Sequence, residues 1–124
     1  MNKRNPLWKR GERLLRQRCR ELFGNTCAVC RRVEPSEPTE LTRFHCHHIL
    51  GRGKHVALRL ETTIFICRDH HEDCHKSGGK DRLLAYIGRQ WPEWFKILEA
   101  LRIPNNSRFT QSDLEEAVNK LEAM

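Results

Sequence analysis

Apolar residues recur along this chain at two periods, and the switch between them outlines the fold. From position 8 to 23, Trp8, Leu14, Leu15, Cys19, Leu22 and Phe23 fall on one side of a helical projection. Arg10, Arg13, Arg16, Arg18 and Arg20 occupy the remainder, and Gly24-Asn25 supplies the stop. Positions 41–50, with Phe44, Cys46 and Ile49, read as a strand ending at Gly51-Arg52-Gly53. Positions 62–67 are β-branched and aromatic, which predicts a second strand paired antiparallel with the first. Asp69 stands where a cap belongs, so a short helix is expected over 70–76, before Gly78-Gly79. Two helices should follow over 81–89 and 91–103, with Leu83, Leu84, Ile87, Trp94 and Leu98 as packing residues and Pro92 in a first turn. Positions 104–107 break the chain. Thr110 with Asp113, or Ser112 with Glu115, then caps a last helix carrying Leu114, Val118 and Leu121.

This order predicts an α+β fold: a small antiparallel hairpin plus helix, flanked by a basic amino-terminal helix and carboxy-terminal helices. One domain spanning 1–124 is expected, with its core at 26–79, a basic helical extension at 1–25 and a helical extension at 80–124. The hydrophobic fraction of 38% against 31% charged residues suits a soluble chain with a thin core, which a structural metal would help. No run approaches the roughly 18 apolar residues of a membrane span, and the basic start is not followed by an apolar signal region. The expectation is therefore a cytoplasmic protein without a membrane partner. Six cysteines without an export signal, interleaved with histidines, read as metal ligands rather than disulfides.

A net charge of +7 and a pI near 9.4 point to a polyanionic partner, nucleic acid first. Ten Lys or Arg against Glu12 and Glu21 in residues 1–32 carry that excess. Two readings of the first helix stand side by side: a solvated face docked on the domain, or a phosphate-contacting helix.

The candidate chemistry is concentrated between His45 and His75, which hold six of the seven histidines in two short ends: His45, His47, His48 in one, His70, His71, His75 in the other. Upstream, Cys27-Ala-Val-Cys30 has the spacing of half a zinc site, without the βαβ context of a redox dithiol. Cys27, Cys30, Cys67 and His70 make two such half-sites, four soft ligands suited to a closed structural zinc. Cys74 could replace His70 in that place, and Cys46 or Cys19 could also compete, but all three read more naturally as small buried residues than as ligands. His71 and His75 are four apart, on one helix face, and His47 from the adjacent strand completes a three-nitrogen face with open positions. His48 should leave the strand on the other side, as an unligated base. His45 and His55 read as solvent-facing or loop-stabilising.

With these residues in view, His47-His48-Ile49 followed by Cys67-x-x-His70-His71 and preceded by Cys27-x-x-Cys30 resembles the HNH endonucleases with a ββα-metal fold and zinc knuckle. The stretch His48–Gly53 with Leu58-Arg59-Leu60 is similar to small phage- and prophage-type members. The likeness covers roughly residues 26–76. It implies DNA phosphodiester hydrolysis, with His48 as general base and a divalent ion (Mg²⁺, Mn²⁺, Ni²⁺ or Zn²⁺) on His47, His71 and His75, beside a structural Zn²⁺. The family's middle asparagine falls on Thr62, a departure: threonine offers a hydroxyl where the family has a bifunctional amide. Arg52, Lys54 and Arg68 lie near the motif and could contact phosphates. The alternative is a zinc-stabilised nucleic-acid-binding module with weak or no turnover, and Thr62 is its best support.

Overall fold

The computed structural model describes residues 4–102 and 107–124. Positions 104–106 of the predicted break at 104–107, the last position of the predicted 91–103 helix and the first three residues lie outside the described residues. The architecture is α+β: α1 (Pro6–Leu22), β1 (His45–His48), a 3-10 turn (Leu60–Thr62), β2 (Thr63–Ile66), α2 (Arg68–Cys74), α3 (Gly79–Gln90), α4 (Pro92–Leu101) and α5 (Gln111–Glu122).

Helix α1 starts earlier than its apolar pattern suggests because Asn5 accepts a hydrogen bond from the Leu7 amide at 2.8 Å and Pro6 takes the first helical position. The hairpin pairs antiparallel, as predicted, in a register that sets His45 opposite Ile66 and His47 opposite Ile64. Strand β1 is only four residues, shorter than the expected ten-residue stretch. Before it, the Thr39 amide donates to the Thr42 hydroxyl at 2.8 Å and the Arg43 amide to the Thr39 carbonyl at 2.9 Å, a local turn that takes those groups away from the sheet. After it, the Ile49 amide still donates to the Thr62 carbonyl before the chain turns at Gly51.

All four residues of β2 are buried, so this strand is the centre of the main core. Ile64, Phe65 and Ile66 pack there with Cys19 of α1, Leu83 and Ile87 of α3 and Leu98 of α4. A second cluster joins α1 to α5 through Trp8, Leu58, Leu114 and Val118. Gly11 makes that approach close: a Cβ there would sit 3.0 Å from Leu58 Cδ1 and 3.2 Å from Val118 Cγ2. The capping box of α5 uses Thr110 and Asp113, the first of the two predicted alternatives.

Helix α2 begins at Arg68 with Cys67 as its cap, two residues before the expected start, and Asp69 sits in its first turn where a carboxylate suits the helix dipole. It ends at Cys74, and α3 starts soon after, on Gly79. A side chain at Gly79 would run into the Asp73 carbonyl, so the sharp junction between the two helices needs glycine.

Candidate metal centres

Two ligand clusters lie on α2 and its neighbours. The first unites Cys27, Cys30, Cys67 and His70, whose ligand atoms all lie within 4.8 Å of one another. Residues 27–32 form a tight turn closed by Cys27 N–H to Arg32 carbonyl at 2.8 Å and Arg31 N–H to Cys27 carbonyl at 3.0 Å. The Ala28 amide donates to the Phe65 carbonyl at 2.9 Å, fastening the turn to β2, and the Tyr86 hydroxyl reaches the Ala28 carbonyl at 3.3 Å from α3. Because β2 runs directly into α2, Cys67 and His70 arrive beside that turn.

The sulfur atoms of Cys30 and Cys67 are 3.8 Å apart, and Cys27 Sγ is 3.7 Å from His70 Nδ1. A tetrahedral zinc with Zn–S bonds of about 2.3 Å requires sulfurs about 3.8 Å apart, so the donor set fits that ion in chemistry and in size. Cys67 Sγ to His70 Nδ1 is tighter, at 3.1 Å. Burial pushes the Cys30 thiol up, but the Arg32 backbone N–H and guanidinium, with Cys27 and Cys67, outweigh it and bring it down to about 7. Burial raises Cys67 to about 11 against the His70 amide. Arg32 donates to Cys30 Sγ at 3.2 Å and to Asp69 at 3.2 Å, placing a cation against a cluster rich in thiols. Cys74 is buried outside both clusters; Cys19 on α1 and Cys46 on β1 also lie outside them, Cys19 fully buried in the main core and Cys46 packed against it.

The second cluster is His47, His71 and His75, again with ligand nitrogens within 4.8 Å. His71 Nε2 and His75 Nε2 are 3.2 Å apart, one turn along α2. His47 faces them from β1, with ring centroids 5.4 Å and 5.9 Å away. Burial, then His71 and His75, holds His47 down at about 4, and burial, then His45 and His75, does the same for His71. Two of the three imidazoles are thus neutral far below pH 7, the form that binds metal. His47 is 8% exposed while His75 is open to solvent, so the cluster has a closed side and an accessible one.

His45 differs from the expectation of a solvent-facing or loop-stabilising residue. Its ring stacks on His71, centroids 4.3 Å apart and planes 17° from parallel. The strand period carries the reason, since positions 45 and 47 leave β1 on the same face. His55 does stabilise a loop, through Ser107 carbonyl at 2.6 Å and an edge contact with Phe109.

His48 belongs to neither cluster; its Nε2 lies 3.2 Å from the Ala57 carbonyl. That carbonyl can only accept, so Nε2 carries a proton in this contact. Thr62, fully buried, does not hydrogen-bond His48 through its hydroxyl. That group is shared between the carbonyls of Val56 at 2.9 Å and Arg59 at 3.0 Å, which ties the 53–59 loop to the hairpin. The three basic residues near the motif part company: Arg52 shares a cleft with His45, Lys54 lines a hollow beside α3 and α4, and Arg68 pairs with Glu72 on its own helix at 2.9 Å.

Glu34 gives no signal in its polar, proline-punctuated loop, yet it is 8% exposed. Its Oε1 accepts from Arg20 Nε at 3.1 Å and its Oε2 from the Phe44 amide at 2.7 Å, joining α1 to the entry of β1. No helix among the described residues is long and apolar enough to cross a membrane. No family model, curated protein or solved structure matches the chain significantly.

Proposed function

We propose that this protein is a metal-dependent endonuclease of the HNH type that hydrolyses DNA phosphodiester bonds. The observation that carries the reading is the convergence of His47, His71 and His75 into one cluster; His48 follows His47 on β1, outside that cluster and against the Ala57 carbonyl. Three nitrogens with an accessible side make an open site, as a catalytic ion needs, whereas the Cys27, Cys30, Cys67, His70 set leaves no position for substrate and would hold a structural zinc in a knuckle of the ββα-metal type.

A divalent ion on the three histidines would supply positive charge against the phosphate as its negative charge develops. His48 accepts, at Nδ1, the proton of the water that attacks phosphorus, and the charge this leaves on the ring is shared with the Ala57 carbonyl through Nε2–H. The phosphorus–oxygen bond opposite the water breaks, the departing 3′ oxygen takes a proton from solvent, and by family likeness the products carry a 5′ phosphate and a 3′ hydroxyl. His45 holds the His71 ring in place by stacking, a positioning role. Arg52, beside His45, offers a guanidinium to the substrate phosphates.

A second reading has one observation in its favour: the Thr62 hydroxyl is committed to backbone carbonyls, so the bifunctional amide of the family has no counterpart there. The protein would then be a zinc-stabilised nucleic-acid-binding module. Incubation with supercoiled plasmid and Mg²⁺, Mn²⁺, Ni²⁺ or Zn²⁺ separates the two. Nicking that His48→Ala abolishes supports the nuclease; equal binding without cleavage by both proteins supports the module.

A further inference from the structure

Between α1 and the segment leading into β1 runs an open cleft of about 910 Å³. Arg16 and Arg20 reach it from α1, Arg43 from the residues before β1, and Arg52 from the hairpin loop. One carboxylate faces these four guanidiniums, that of Glu34, and both its oxygens are occupied by Arg20 and the Phe44 amide. Arg16 and Arg43 make no ion pair among the described residues. Elsewhere α1 uses its arginines internally: Arg10 bonds Glu122 and Arg18 bonds the Leu121 carbonyl, both on α5. The helix thus divides its charge, part docking α5 and part facing the cleft.

Crowding like charges around one hollow destabilises the fold unless an anion is received there. The cleft also touches the histidine centre, because His45 lines it and stacks on His71. The chemistry of the lining selects among anions. Guanidinium forks match phosphate oxygens. Of the aromatic residues of the lining, Phe44 and Phe65 are 8% and 1% exposed and His45 is stacked on His71, while Arg20 lies over the Phe65 ring at 5.5 Å. A cleft with charge but no exposed phenyl ring reads backbone and not unstacked bases, which favours a duplex over a single strand.

We propose that this cleft is a binding site for the phosphate backbone of duplex DNA, seating the strand that flanks the bond broken at the His47, His71, His75 centre. The strand's direction toward that centre rests on the nuclease reading; the binding does not. It assigns to Arg16, Arg20 and Arg43 a role that proximity to the motif does not reveal.

Fluorescence anisotropy of a short labelled duplex, titrated with zinc-loaded protein over a range of salt, tests it. The double variant Arg16→Gln, Arg43→Gln should bind roughly tenfold or more weakly at low salt, with the slope of log affinity against log salt shallower by about 2, near 0.9 for each phosphate no longer neutralised. Arg16→Lys, Arg43→Lys should recover most of that slope. Arg89→Gln, Lys96→Gln removes the same charge from exposed sites on α3 and α4 and should keep the parental slope, with equal melting temperatures confirming intact folds. An unchanged slope in the cleft variant, or an equal loss in the α3 and α4 variant, overturns the site. Tighter binding of the single strand than of the duplex overturns the duplex assignment. If the parent binds with this slope but nicks no plasmid, the cleft stands and the nuclease reading fails. If the parent nicks while the cleft variant binds as the parent does, the reverse holds.

Discussion

The His48 ring and the Ala57 carbonyl are 3.2 Å apart, and the residue before Ala57 is held in turn by the Thr62 hydroxyl at 2.9 Å from the Val56 carbonyl. Position 62 therefore bears on His48, the base on the nuclease reading, through the loop it ties down. Thr62→Val keeps the shape but removes the hydroxyl that the Val56 and Arg59 carbonyls share, while each carbonyl keeps a backbone donor, the Arg59 and Thr62 amides; the cost in urea denaturation should be about 0.5–1.5 kcal/mol. Nicking should slow while the protein stays folded, and Thr62→Ser should restore it. Parental nicking by the valine variant would remove Thr62 from any role in positioning His48.

Cys27→Ser tests the sulfur-rich site. It removes one of four ligands from the cluster that joins the 27–32 turn to β2 and α2, so stability should fall by more than roughly 3 kcal/mol. Elemental analysis should find about one zinc fewer per chain. A cooperative melt at the parental temperature with full zinc content would show that this cluster does not hold the fold.

His75→Ala should behave in the opposite way. His75 is exposed at the end of α2, so its loss leaves the core untouched. Calorimetric titration with Mn²⁺ or Ni²⁺ should lose the binding event of the three-histidine site while the thermal transition stays put. Collapse of the structure in this variant would mean that the two ligand sets have been given each other's roles.

Acid sensitivity follows from the depressed histidines. His47 and His71 sit at about 4 in the fold against an ordinary 6.5, so between those values the unfolded chain binds protons that the native one does not. Their contribution to stability is complete above pH 6.5 and is lost as the pH falls toward 4. Scanning calorimetry across that window should give a steeper fall for the parent than for His47→Ala, His71→Ala. Parallel curves would show that burial of these rings does not set the acid limit.

Much of this arrangement is legible in the sequence because ligand spacing and strand period are local. The i, i+4 spacing of His71 and His75 needs only a helix, and the Cys27–Cys30 turn needs only its two cysteines. Thr62 illustrates what local reading misses: its hydroxyl bonds carbonyls three and six residues back, in a loop whose path the sequence does not specify. Glu34 is a sharper case. Among Pro35, Ser36 and Pro38 it reads as solvated, and its burial depends on where α1 delivers Arg20. The start of α2 departs from its expected place because Asp69 is a better cap by propensity than Cys67. The chain needs Cys67 at the end of β2, facing Cys30, and the helix begins from there.

His70 and His71 are adjacent on α2 and turn to different ligand sets, so one short helix is the common wall of both. Seven residues are too few to persist in water unaided. On the reading proposed above, a cell starved of zinc would hold this chain silent however abundant its other divalent ions, since the wall would soften before the second site could form.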